Sequence, residues 1–240
     1  MFVNIAAGLV ILWLNNNWAV NGPRNVVLNK GYKMKIDSME QLRDILGSPH
    51  PATQDKIYDY LNRGMQAFIQ QSPLLLMATL DEDGFPSISP KGDAPGFVHV
   101  QDALHLLIPE RKGNKMALSF SNILAGSRLG LLFIVPGVSE VLRVQGAAEI
   151  LHDPELNARL ASDSQQALVV TRLQVQSAFF HCGKALLRSK LWAEDLQHAD
   201  LKVSFGEQIA DNPRKQSALL AKQDIPAFDA GLRERYQSDL

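Results

Sequence analysis

"SPKGDAPGF", residues 89–97, follows an alternating, strand-like run and packs a proline, a cation and two glycines into a few positions. A plain turn needs one or two such residues. A longer stretch of them exposes main chain and admits the close approach of something flat or charged. Just upstream, "LLLMATL" (74–80) is a continuous apolar run, which predicts a strand buried on both sides. "DEDG" (81–84) predicts a hairpin turn. In "FPSISP" (85–90) and the lysine after it, Phe85, Ser87, Ser89 and Lys91 share one strand face.

Further strands follow. "GFVHV", "QDA" and "LHLLIP" predict a hairpin over 96–109. "RLGLLFIV" (128–135), the turn "PGVSE" and "VLRVQGAAEI" (141–150) predict another, and "ALVVTRLQVQ" (167–176) alternates again. Arg143, Gln145, Ala147 and Glu149 make one face of their strand too polar for an inner core. Six or seven short strands, mostly joined by hairpins, predict an antiparallel sheet that closes or pairs to remove its edges.

Helices are expected at the ends of this β-rich region. Ser38 is a candidate N-cap for a helix through Met39, Leu42, Ile45 and Leu46, stopped by Gly47 and Pro49. A second helix is expected over 54–71, with Ile57, Tyr60, Leu61, Met65, Phe68 and Ile69 on one face. Others are expected over 115–124, near 153–161 and over 181–192, with two or three short ones in the polar tail.

Composition bounds the possibilities. Of 240 residues, 46% are apolar, which is ample for a core. Lys plus Arg is 24 and Asp plus Glu is 25, and this balance argues against a general nucleic-acid binder. The apolar run 5–14 is shorter than the roughly 20 residues that span a bilayer. It also lacks a cationic segment before it. Residues 1–33 are therefore read as a non-core extension, with a signal or anchor segment as the alternative, and the protein as cytoplasmic with no membrane partner. The single cysteine, Cys182, cannot form an internal disulfide and reads as a small packing residue. The six histidines lack metal-ligand spacing, and no metal is expected.

Two more segments carry chemistry. In "IPERKGNKMALSFSNIL" (108–124) a basic loop, with Arg111, Lys112, Gly113 and Asn114, meets a helix expected to start at Lys115. Free amides at a helix start, with cations beside them, suit a phosphate. A solvated basic loop is an equal reading of this segment alone. In "HCGKALLRSKLW" (181–192), Lys184, Arg188 and Trp192 fall at i, i+4 and i+8, which would put two cations and an indole on one helical face. That face suits an anionic, aromatic ligand, or is simply solvated.

With "NIL" (122–124), "RLGLLFIVPG" (128–137) and "LRVQG" (142–146), these segments resemble the pyridoxamine 5′-phosphate oxidase-related FMN-binding split-barrel family, in particular a subgroup of bacterial flavoproteins. The likeness covers about residues 40–195. Any one motif is weak; six in order are specific. The resemblance implies a mainly β fold with flanking α, an antiparallel six- to seven-stranded split β-barrel. It implies a domain over 34–195 and a helical tail over 196–240 packed on the barrel. It further implies FMN at the subunit interface of a homodimer, and a small-molecule substrate.

Site residues follow from the same resemblance. Ser87, Ile88, Ser89, Pro90, Lys91, Gly92 and Asp93 would line the flavin ring with their main chain, Lys91 near its pyrimidine side. Arg111, Lys112, Asn114 and Lys115 would hold the phosphate. Lys184, Arg188 and Trp192 would come from the second subunit. The tail "DAGLRERYQSDL" departs from the substrate-binding end of the oxidase proper, which leaves vitamin B6 oxidation in doubt. No catalytic side chain is assigned, because flavin chemistry often needs none. The reading that follows is an FMN-dependent oxidoreductase. The alternatives are a non-catalytic flavin carrier or sensor, and the same fold holding F420 or haem.

Overall fold

A computed structural model of the chain describes residues 35–126, 128–162, 165–193, 203–212 and 224–238. The expected extension over 1–33 lies outside them. The chain forms two compact units, residues 1–51 and 52–240. In the first, helix α1 (Met39–Leu46) starts where expected: the Ser38 hydroxyl accepts the Gln41 N–H, and Gly47 ends the helix at φ 74°.

The second unit is built on one seven-stranded sheet in which every neighbouring pair is antiparallel. In chain order the strands are β1 (Leu74–Leu80), β2 (Pro86–Gly92), β3 (His99–Val100), β4 (His105–Glu110), β5 (Arg128–Ile134), β6 (Val141–Leu151) and β7 (Val169–His181). Across the sheet they run β2-β1-β5-β6-β7-β4-β3, so β2 and β3 are the edges. Pro86 and Pro90 lack an N–H, and an edge strand tolerates that loss. The turn between β1 and β2 is as local chemistry predicts. The Asp81 carboxylate accepts the N–H groups of Asp83 and Phe85, and Gly84 takes φ 82°.

Strand β1 differs from its expectation. Leu75, Met77 and Thr79 are buried, whereas Leu74, Leu76 and Ala78 on the other face are only half-buried. One face of the sheet meets the core, and among the described residues the other has no covering layer there. On β6, Arg143, Gln145 and Glu149 lie on the exposed face as their polarity predicts.

The core joins Leu75, Met77, Leu106, Ile108, Leu131, Phe133, Val144 and Leu173 from the sheet to Leu61, Met65 and Ile69. Helix α2 supplies Met65 and Ile69 but covers only Arg63–Gln71. The longer helix expected from residue 54 does not form. Tyr58 and Ala178 exchange backbone hydrogen bonds of 3.0 and 2.7 Å, which holds residue 58 extended against β7. The Asn62 side chain then caps α2 by accepting the Met65 N–H.

Helix α3 (Leu118–Gly126) packs against β1, β2 and β6, with Ile123 in the core. Helix α4 (Pro154–Arg159), capped by Asp153, packs on β7, and Leu107, Leu160, Ala167 and Val170 form a second, smaller cluster. β6 pairs with β7 along its whole length, with one irregularity at Gln145/Gly146. A Cβ on Gly146 would lie 1.8 Å from the Gln174 carbonyl oxygen, so only glycine fits there.

The segment 181–192 is not one helix. β7 runs to His181, and helix α5 covers only Lys184–Ser189, ended by Lys190 at φ 51°. Cys182 is exposed, not packed. Gly183 beside it holds the packed position, where a Cβ would meet Ser139 at 2.6 Å. In the tail, helices α6 (Phe205–Ala210) and α7 (Ile225–Ser238) pack on each other, and the Asp229 carboxylate accepts the Gly206 N–H.

Candidate functional site

The two motifs that bracket the first half of the sheet meet in space. Strand β2 turns Ser87, Ser89 and Lys91 toward the protein and leaves Ile88, Pro90 and Gly92 exposed. Ser89 Oγ lies 3.0 Å from Ser119 Oγ on α3. Lys91 Nζ donates to Glu110 Oε2 at 2.5 Å and sits 5.3 Å from the centre of the Phe120 ring. The other Glu110 oxygen accepts the Thr171 hydroxyl at 3.2 Å. One residue past Glu110 and two past Lys91, Arg111 Nε donates to Asp93 Oδ2 at 2.8 Å.

Glu110 escaped the sequence reading although a signal for it existed. Leu106, Ile108 and Glu110 share one face of β4 by simple alternation, so the acid is placed in the core. Its side chain is 5% exposed. A buried carboxylate needs a charged or hydrogen-bonding partner. Lys91 and Thr171 supply it.

The basic loop between β4 and α3 also differs from its expectation. Helix α3 begins at Leu118, not Lys115. Lys115 and Ala117 instead adopt φ 62° and 56°, left-handed values that cost a non-glycine residue roughly 1–2 kcal/mol. Lys112, Asn114 and Lys115 are exposed in that loop, and the Asn114 side-chain Oδ1 accepts the Met116 N–H. Arg111 is not turned to solvent. Besides Asp93, it bonds the carbonyls of Leu160 at 2.8 Å and Gln165 at 3.3 Å.

Lys184, Arg188 and Trp192 form a separate cluster. Both cations are exposed on α5. Trp192 lies past the end of that helix, so the three do not share a helical face. Its indole N–H donates to the Val138 carbonyl at 3.0 Å, which ties it to the turn between β5 and β6 of its own chain.

A curled, wholly antiparallel seven-stranded sheet with a helix packed between its strands defines a split-barrel protein. A family model described as pyridoxamine 5′-phosphate oxidase matches residues 61–182, just over half of the 240-residue chain, and the chain belongs to that family. Similar solved structures include HupZ of Group A Streptococcus, 21% identical, covering 50% of this chain and 92% of that one, with a TM-score of 0.42. A candidate pyridoxamine 5′-phosphate oxidase of Lactobacillus delbrueckii is 25% identical, over 51% of this chain and 95% of that one, with a TM-score of 0.40. HutZ, the haem storage protein of Vibrio cholerae, is 16% identical, over 50% and 93%, with a TM-score of 0.35. No curated protein matches the chain in sequence. Among the described residues, no helix is long and apolar enough to cross a membrane.

Proposed function

We propose that this protein is an FMN-dependent oxidoreductase that acts on a small molecule by hydride transfer through the flavin. The observation that carries the reading is the position of the β2 edge. Among the described residues its outer side has no strand partner, it is followed by the glycine-rich segment 92–96, and Asp93 just past it meets the first residue of the basic loop. A flat ring with a polar edge can lie along such a strand and hydrogen-bond its main chain.

The donor set fits FMN from ring to phosphate. The β2 edge, from Ser87 to Asp93, would hold the ring through its main chain, with the Lys91 side chain turned inward to Glu110. Lys112, Asn114 and Lys115, with the free N–H groups at the start of α3, would hold the phosphate. Two left-handed non-glycine residues in one loop support a binding role, because such strain persists where the surroundings over-determine it. When bound, FMN supplies the two-electron chemistry. The chain's own residues bind, orient and charge-balance it.

A homodimer with flavin at its interface is part of the same proposal. The outer face of the sheet supports it: Leu76, Ala78, Ile88 and Leu132 line a shallow groove of about 230 Å³ bordered by Arg143 and Phe179. Arg143 lies 5.1 Å and Lys56 5.3 Å from the centre of the Phe179 ring. A second copy would cover the apolar strip and bring its own Lys184, Arg188 and Trp192 to the site.

The test is the absorption spectrum of the purified protein, before and after adding NADH or NADPH. Flavin bands that bleach quickly are the expected result. Bands that stay oxidised with every reductant tried would make the protein a carrier or sensor. A Soret band, or the spectrum of F420, would replace the cofactor.

A further inference from the structure

The expected phosphate ligand Arg111 is engaged elsewhere. Its side chain is 17% exposed and reaches three acceptors on two separate segments: Asp93 after β2, and Leu160 and Gln165 in the connection from α4 to β7. Asp93 is held just as firmly. Its other carboxylate oxygen accepts the Ala94 N–H at 2.7 Å, and its own N–H donates to Pro73 at 3.1 Å. A guanidinium has five N–H donors in a fixed fork, which suits it to span several acceptors at once.

We propose that Arg111 is a positioning residue. It locks the first residue of the 111–117 loop to Asp93, Leu160 and Gln165, so that the β2 edge and the basic loop move as one body. It does not itself hold the phosphate. The ligand half of this proposal rests on the FMN reading above; the loop-locking half does not.

Two variants of the full chain separate the roles. Arg111→Met removes charge and fork together. Arg111→Lys keeps the charge, and with it most of any phosphate contact, but cannot span three acceptors. In the ligand-free protein, amide hydrogen exchange at residues 93–97 and 111–117 is expected to be about tenfold faster in both variants. Unchanged exchange in both would overturn the proposal. In titrations, both variants are expected to lose FMN and riboflavin by the same factor. A loss of FMN ten times larger than the loss of riboflavin in Arg111→Met, with Arg111→Lys near wild type, would restore Arg111 as a phosphate ligand. If the wild type binds neither flavin, the functional reading fails, and the exchange measurement still decides the role of Arg111. Should Arg111→Met fail to fold, Arg111→Lys alone carries both measurements.

Discussion

Lys91 on β2 and Glu110 on β4 meet at 2.5 Å, although their strands share no backbone hydrogen bond. β2 is one edge of the sheet, and β4 lies one strand in from the other. The ion pair therefore crosses the seam where the curled sheet meets itself, with Asp93–Arg111 as a second, oppositely oriented rung beside it.

Breaking one side of the first rung strands a buried charge. Lys91→Met should cost about 3–5 kcal/mol, because the Glu110 carboxylate is left without its cation. The double variant Lys91→Met/Glu110→Leu should cost clearly less than the sum of the two single changes. Urea unfolding of the three variants measures this. Additive costs would mean that the pair is not coupled in solution.

FMN differs from riboflavin by its phosphate, and Lys115 lies in the exposed part of the basic loop. Lys115→Ala should weaken FMN roughly 3- to 10-fold and leave riboflavin unchanged, an exposed cation contributing less than a buried one. Titration of both ligands into the apo protein measures the difference. Equal losses would remove Lys115 from the phosphate site.

The proposed dimer places an apolar side chain where a charge can be introduced without touching the core. Ile88 is 65% exposed in the single chain. Ile88→Lys should change the stability of one subunit by no more than about 0.5 kcal/mol. It should nonetheless turn a dimer into monomers by light scattering at micromolar concentration. A wild type that is already monomeric and still holds flavin would contradict the dimer.

Gly146 tests the long pairing of β6 with β7. Gly146→Ala drives a methyl group into the Gln174 carbonyl and should cost about 1–3 kcal/mol or more. Gly130→Ala is the control, since its Cβ would meet nothing closer than Ala78 Cβ at 3.8 Å. Equal melting temperatures for the two variants would show that the irregularity at residue 146 relaxes freely.

One acid gives stability a pH dependence that can be located. The Leu104 N–H, with help from His105, holds the Asp102 carboxyl below its ordinary value of 3.8. A lowered carboxylate stabilises the fold above its unfolded pKa and loses that contribution as pH falls through the folded one. The stability gap between wild type and Asp102→Asn should therefore be present at pH 6 and close as pH drops below about 4. A gap that widens in acid would contradict the assignment.

The sequence by itself determined the local part of this protein. The caps at Ser38 and Asp153, the Asp81–Gly84 turn and the alternation along β6 each depend on residues within a few positions of one another. Six ordered motifs were enough to indicate the family. Only the tertiary structure decided where the helices of the site begin and which charges are available to a ligand. Tyr58 leaves its expected helix because Ala178 bonds it, and Trp192 leaves its expected helical face for Val138. Arg111 and Lys91 read as ligand-binding cations, yet in the fold they face Asp93 and Glu110. Those partners lie 18 and 19 residues away, just past β2 and at the end of β4, strands that meet only when the sheet curls, and no local pattern encodes that closure.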